Sequence, residues 1–343
     1  MDAKKLRGKK IVLFCPNFFS YDKKIREELE SLGANVVLYD DRPSNSVIVK
    51  SLIRLRINFL IQFFINRYYD FIMKNMESFR PDYVLFVNPE TPNRSILERM
   101  KGKFKETSFI LYMWDSVANK KGILQYKHLF DQCFTFDQKD AENLDFNFLP
   151  LFYSNQYTEI TRSKEKPVYD MCFIGTIHSQ RMRLVNKVIK VSNATNPFVY
   201  FYCPSIFVFF YKKYISKELS DVDLKQVSFI PMSSEHVLDI IRKSKCIVDI
   251  PHSAQRGLTM RTIEMLGAGK KIITTNEHIK NYDFFLKDNV YVLSDENNDE
   301  LKGFLSKDYC DLSFDIYYKY SLRSWLLSVF SPTEESVNKF KFF

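Results

Sequence analysis

The chain has 343 residues, of which 45% are hydrophobic and 27% charged, and its formal net charge is +9. This length and balance fit two globular domains with full cores rather than one. A basic chain suits phosphorylated substrates, an anionic membrane face or nucleic acid; scattered Lys and Arg with no zinc-finger or RNP-type pattern make nucleic acid the poorest fit, and no such partner is expected.

In chain order, residues 10–15 read as a short strand, 21–32 as a helix stopped by Gly33, and 36–39 as the next strand, the opening of an α/β unit with a parallel sheet. Residues 50–67 carry Lys50, Arg54, Arg56 and Arg67 among large apolar side chains and no acid. Such a stretch suits an interfacial membrane helix, or equally a buried helix with snorkelling arginines. Strands are predicted at 83–87, 108–113 and 132–136. Residues 154–166 are polar, without strand or helix pattern, and read as an interdomain linker. The rhythm restarts with strands at 171–174 (ending at Gly175), 198–202, 227–230, 246–250 and 271–275, and helices at 234–243 and 260–266. The tail, 316–330, is amphipathic and helical, with Trp325 and Tyr317 placed to pack across a domain junction. The expected organisation is a doubly wound domain over 1–153, a linker over 154–167, a second doubly wound domain over 168–312, and a C-terminal helix within 313–343 crossing back to the first domain.

The six cysteines form no C-x-x-C pair, and Cys15, Cys133, Cys172 and Cys246 lie in apolar strand-like runs. They read as buried thiols of a reducing cytosol rather than disulfides or zinc ligands. Neither a signal-like start nor an uncharged run of membrane-span length is present, so a cytoplasmic protein is expected, peripheral at the inner face of a membrane if residues 50–67 dock there.

The segment 255–276 concentrates the chemistry. Gly257 permits a tight turn, a helix begins near Leu258 or Thr259, and the unpaired N–H groups of a helix start attract phosphate. Arg261 would fork onto a diphosphate, and Glu264, one turn on, would accept the hydroxyls of a ribose. Gly267 and Gly269 close the helix before the next strand. The same letters also suit an ordinary helix–turn–strand unit in which Arg261 and Glu264 form an i, i+3 ion pair.

This segment resembles the C-terminal nucleotide-binding motif of GT-B glycosyltransferases, with Glu264, Gly267, Gly269 and the strand at 272–275 in matching order. It is more closely similar to bacterial enzymes of capsule and lipopolysaccharide assembly, which share a G-L-T-M-R-T-I-E run followed by K-I-I-T-T-N. Phe173-Ile174-Gly175-Thr176 with Arg181, Asp249-Ile250-Pro251 and Tyr282-Asp283-Phe284 extend the likeness over most of 170–290. The resemblance implies a GT-B fold, two Rossmann-like domains facing across a cleft, and sugar transfer from a nucleotide sugar, UDP-linked favoured, to a glycan or lipid-linked acceptor. It also implies no metal or other cofactor, the leaving diphosphate being stabilised by helix dipole and basic residues. Retaining members often carry a second glutamate eight positions earlier; here Arg256 stands there, so the stereochemistry does not carry over.

The donor set expected is Gly175, Thr176, His178, Arg181, Gln255, Gly257, Leu258, Thr259, Arg261 and Glu264. Asp115, after the strand at 108–113, is the candidate general base, or alternatively an N-cap. Glu90 competes with it, Asn17 and Asp22 follow the first strand and would line the acceptor side, and Arg42-Pro43 follows the second. Asp221-x-Asp223 lacks a partner cluster and reads as solvated rather than metal-binding. A nucleotide-sugar-binding assembly protein and a GT-B-like sugar epimerase are the alternative functions.

Overall fold

The computed structural model describes residues 6–43, 61–163, 165–251, 256–294 and 300–331. They fall into two compact units, one running to Leu151 and resuming at Leu322, the other spanning Phe152–Ser321. Each is built on a parallel sheet. Parallel neighbours cannot be joined by a hairpin, so a crossover must separate them, and the apolar runs at β spacing alternate with helical ones accordingly.

The first unit contains β1 (Lys10–Phe14), α1 (Tyr21–Ser31), β2 (Asn35–Tyr39), α2 (Gln62–Phe79), β3 (Tyr83–Val87), α3 (Arg94–Lys103), β4 (Ser108–Met113), β5 (Gln132–Thr135), α4 (Gln138–Leu144) and β6 (Asn147–Phe148). The strands lie in the order β2-β1-β3-β4-β5-β6. The central strands are nearly continuous apolar runs because helices cover both faces of such a sheet. Phe14 and Phe86 face each other across β1 and β3 and stack at 4.3 Å, with Tyr69 of α2 against Phe14 at 5.8 Å.

The second unit opens with α5 (Asn155–Arg162), then β7 (Tyr169–Thr176), α6 (Ser179–Ser192), β8 (Pro197–Tyr202), α7 (Ile206–Phe210), α8 (Ser234–Arg242), β9 (Ser244–Asp249), α9 (Met260–Gly267), β10 (Lys271–Thr274), β11 (Val290–Val292), α10 (Leu301–Ser306) and α11 (Phe314–Lys319). Its order is β11-β10-β9-β7-β8. In both sheets the winding reverses once, between β1 and β3 and between β9 and β7. At such a reversal the loops leaving two adjacent strands diverge and open a crevice at their carboxyl ends.

Several expectations change. The stretch read as a linker holds α5: Tyr157 and Ile160 are buried with Met265 and Ala268, and two apolar residues sufficed where the polar letters around them hid the pattern. Gly175 lies inside β7 rather than ending it. Residues 227–230 form no strand; Ser228 makes a single bridge to Tyr202, and Ile230 is 75% exposed, so no sheet face exists there for it to bury. The C-terminal helix is two helices, α11 and α12 (Leu322–Phe330), because the backbone at Tyr320 and Ser321 pairs instead with Tyr153: Tyr153 N–H donates to the Tyr320 carbonyl at 3.0 Å. Tyr317 packs on Tyr153 within the second unit, whereas Trp325 belongs to the first. All six cysteines are free; Cys133, on a strand near the sheet edge, is half-buried, and Cys310 is exposed. Gln255, most of 50–67 and the first five residues lie outside the described residues. Among those described, no helix is long and apolar enough to cross a membrane.

Side-chain contacts hold α12 in the first unit. Trp325 meets the Tyr112 ring edge-on at 4.7 Å, Arg323 Nη1 donates to Glu28 Oε1 at 3.0 Å, and Phe330 packs on Tyr83. Trp325→Ala should destabilise this unit by roughly 3–5 kcal/mol through the cavity it leaves, read as a shift of its urea-unfolding transition. An unchanged transition would mean that α12 is dispensable to the unit.

Candidate functional site

Two loops leave the carboxyl edge of the second sheet at its reversal point, one from β7 and one from β9. After β9, Asp249 is 8% exposed and its Oδ2 accepts two hydroxyls, from Thr259 at 2.5 Å and Thr262 at 2.6 Å. Thr259 is also the N-cap of α9, its Oγ1 accepting the Thr262 N–H at 3.1 Å. The carboxylate thus fixes where α9 begins. Asn276, past β10, holds the preceding turn: its Nδ2 donates to the carbonyls of Arg256 (3.1 Å) and Gly257 (3.4 Å), while its Oδ1 accepts the His278 N–H. Leu258 is 2% exposed, so its side chain packs the turn down.

Arg261 and Glu264 project from the first turns of α9. Arg261 Nη1 lies 3.6 Å from Glu264 Oε2, an ion-pair rather than a hydrogen-bond distance. Glu264 is 6% exposed, and burial followed by the Glu264 charge holds the Tyr157 phenol of α5 well above its usual range. The Glu264 side chain is therefore set between a guanidinium and a phenol.

The two glycines after Glu264 answer to packing. A Cβ on Gly267 would collide with Tyr153 Cγ, and the Gly267 carbonyl accepts the hydroxyls of Thr161 (2.8 Å) and Tyr317 (2.7 Å). Gly269 has φ +59°, a left-handed conformation suited to a helix stop.

On the β7 side, Gly175 makes room for the Phe173 ring, whose Cζ would be 2.9 Å from a Cβ there. His178 is the N-terminal boundary residue of α6, without a side-chain cap, and its carbonyl accepts the Met182 N–H. Arg181, in the first turn, donates from Nε to the Ile250 carbonyl (3.0 Å) and from Nη1 to the Thr176 carbonyl (2.9 Å), and burial pulls its pKa down. It ties the end of β7 to the end of β9. Gly175, Thr176, His178, Arg181, Gly257, Leu258, Thr259, Arg261 and Glu264 are thus gathered at one sheet edge. The roles of Asp249, Asn276 and Tyr157 were missed. Asp249 had a signal, an acid inside the apolar run 246–250 and the first letter of Asp249-Ile250-Pro251, and Asn276 closes the K-I-I-T-T-N run, but the partners of Asn276 and of Tyr157 come from other elements.

In the first unit Asn17 is exposed, with its N–H 3.4 Å from Asp40 Oδ2, and Asp22 is 6% exposed at the start of α1. Burial raises the Asp22 pKa, and its Oδ1 has no hydrogen-bond partner among the described residues. Asp115 Oδ1 accepts from Asn119 Nδ2 at 2.8 Å; no helix starts at it, and the Val117 N–H is capped instead by Asp140, so the N-cap alternative falls away. Glu90 pairs with Lys120 at 3.1 Å. Arg42 is spent in a two-pronged pair with Asp40, at 3.0 and 3.2 Å, which is turn chemistry. Asp223 caps the 3-10 turn Leu224–Gln226 in a capping box, and among the described residues no group of three His, Cys, Asp or Glu is placed to hold a metal.

Asp41 was not expected. It is fully buried; its Oδ2 accepts the N–H groups of Glu90 (2.6 Å) and Thr91 (3.2 Å), and its Oδ1 has no partner among the described residues. Burial is the main cause of a pKa pushed up to about 7, with the Glu90 and Asp40 charges adding to it.

No family model matches the chain, and no curated protein sequence does either. Solved structures do match over nearly the whole length. A glycosyltransferase from Rickettsia africae ESF-5 aligns with TM-score 0.54 at 13% identity, over 97% of this chain and 96% of that one. The apo structure of OtsA aligns with TM-score 0.57 at 9% identity, over 95% and 100%. Anabaena Alr3699/HepE, solved in complex with UDP and glucose, aligns with TM-score 0.51 at 8% identity, over 97% and 98%. The chain has the GT-B fold, two Rossmann-like parallel-sheet domains of six and five strands.

Two stability measurements test this geometry. Asp249→Ala orphans two hydroxyls and frees the start of α9, and should cost the second unit on the order of 2 kcal/mol in urea unfolding; no loss would show the lock to be incidental. For Asp41, the folded pKa of about 7 stands above the ordinary 3.8, so the folded state keeps a proton that the unfolded chain has released. Its contribution is therefore full below about pH 4, declines as pH rises to about 7, and is flat above. At about 1.4 kcal/mol per unit, Asp41→Asn should gain on the wild type by on the order of 4 kcal/mol across that window. A pH-independent difference would show Asp41 ionised in the fold.

Proposed function

We propose that the chain is a glycosyltransferase that moves a sugar from a nucleoside-diphosphate sugar, UDP-linked favoured, to a bacterial surface polysaccharide or a lipid-linked glycan. The observation that carries this reading is the meeting of Gly175–Thr176, Arg181 and the start of α9 with Glu264 at the reversal point of the second sheet, the place where doubly wound sheets take nucleotides. The shared fold supports it, as does the name of one aligned structure, solved with UDP and glucose.

In this reading Glu264 accepts the ribose hydroxyls, its carboxylate already held by Arg261 and Tyr157. The start of α9, the Gly175–Thr176 edge and Arg261 stabilise the leaving diphosphate without a metal. His178, Gln255, Gly257, Leu258 and Thr259 complete the donor surface. Asn17 and Asp22 line the acceptor side. Asp115, whose partner in the structure is a neutral amide, is the base that takes the acceptor proton; Glu90, neutralised by Lys120, is the less suited of the two. The protein is cytoplasmic and associates with the inner face of a membrane through 50–67, of which 61–67 are described.

A thermal-shift screen with UDP-, GDP-, CMP- and TDP-sugars should single out one donor, since a ligand bound only by the folded state raises its stability. Glu264→Ala should then weaken that donor about 10- to 100-fold; unchanged binding would remove the ribose assignment. Asp115→Asn should lower kcat by roughly 100-fold or more at unchanged donor KM, with Glu90→Gln well behind it and a chelator without effect. The opposite ranking would move the base to Glu90, and binding with no turnover of any donor would leave a binding protein.

A further inference from the structure

Beyond β8 the segment 206–217, I-F-V-F-F-Y-K-K-Y-I-S-K, runs through α7 and one π-helical turn, Tyr211–Ile215. Phe209 anchors it: the ring is 1% exposed, sits edge-on to Phe229 at 6.1 Å, and joins Leu219 and Val222 in the core. Its neighbours turn outward. Phe207 is 82% exposed, Ile215 69%, Tyr214 67% and Tyr211 56%, and Ile206, Val208 and Phe210 are exposed as well. Elsewhere among the described residues, exposed large hydrophobics are consecutive in sequence at most in pairs, as Phe18–Phe19 and Phe63–Phe64 are. A contiguous apolar patch of this kind is retained on a water-facing surface when something else covers it.

The charges identify what covers it. The twelve residues hold three lysines and no carboxylate. Lys212 is paired with Glu218 at 3.1 Å, but Lys213 donates to the Val222 carbonyl at 2.6 Å and lies 5.9 Å from the Phe209 ring centroid, both uncharged groups, and so keeps its net charge, while Lys217 is exposed. Protein interfaces are depleted in lysine, whereas segments that lie in a lipid interface combine phenylalanine and tyrosine with lysine. α7 is far too short to cross a bilayer, so the association would be peripheral.

We propose that residues 206–217 dock the second unit on an anionic lipid surface. The aromatic and aliphatic side chains enter the boundary between headgroups and acyl chains, and Lys213 and Lys217 meet lipid phosphates. This segment is separate in sequence from residues 50–67, and its docking does not depend on the sugar-transfer reading.

The test is co-sedimentation of the full chain with vesicles of phosphatidylcholine alone and of phosphatidylcholine mixed with phosphatidylglycerol. Wild-type protein should bind the mixed vesicles better, and less as salt rises. The double variant Phe207→Asp, Tyr214→Asp should bind about tenfold or more weakly, while Phe314→Asp, at another exposed site on α11, should bind as wild type does. Both substituted rings of the double variant are exposed, so its thermal midpoint should match the wild type. Lys217→Glu gives an independent check, since it must weaken binding and flatten the salt dependence without touching an apolar residue. Failure of the wild type to sediment with mixed vesicles, or equal binding by the double variant or by Lys217→Glu, overturns the proposal. So does a wild-type dimer, seen by light scattering and lost in the double variant, without vesicle binding; a second copy would then be the cover.

Discussion

One carboxylate oxygen organises the carboxyl edge of the second unit's sheet. Asp249 Oδ2 takes the hydroxyls of both Thr259 and Thr262, and since Thr259 is also the N-cap, the start of α9 is pinned to the end of β9. Where α9 starts decides which way Arg261 and Glu264 project. The Arg181 guanidinium does the matching work on the other side of the reversal, spanning the carbonyls of Thr176 and Ile250. A sheet edge built of loops needs such ties, because a loop held only by its ends would lose the geometry that orients its side chains.

The side of α9 turned to the rest of its unit is set by contacts in which a single heavy atom matters. Tyr153 lies flat against Gly267, and Thr161 and Tyr317 both donate to the Gly267 carbonyl. α5 supplies Thr161 and the Tyr157 phenol that reaches Glu264, so a helix with only two buried apolar residues both closes the core and lines the acidic side chain. Packing and chemistry here share the same residues, which is why the glycines after Glu264 read equally well as family signature and as steric necessity.

The first unit follows the same topology with different electrostatics. Its sheet edge carries Asp22, Asp40, Asp41 and Glu90, countered by Arg42 and Lys120. Asp40 and Glu90 have their cations. Among the described residues Asp41 has only two N–H groups on one oxygen, and burial drives it toward the protonated form near neutral pH. A cationic chain thus presents an acidic cluster at one sheet edge, with its net positive charge distributed elsewhere.

Much of this was legible from letters alone. Short continuous apolar runs located nine of the eleven strands among the described residues, because a strand buried on both faces must be apolar along its length, and Gly257, Arg261 and Glu264 stood at a helix start that the turn chemistry announced. The missed strands, β6 and β11, are two and three residues long, too short to show a period. What remained hidden depended on residues distant in the chain. That Gly175 clears a phenylalanine ring, that Tyr320 breaks a helix to pair with Tyr153, that Arg181 spends its donors on two carbonyls, and that Asp41 is buried beside Glu90 are each decided by a partner that sequence order does not place. Periodicity and turn residues are local properties and determined the elements; burial, pairing and the state of a buried acid are properties of the packed chain, and only the tertiary structure decided them.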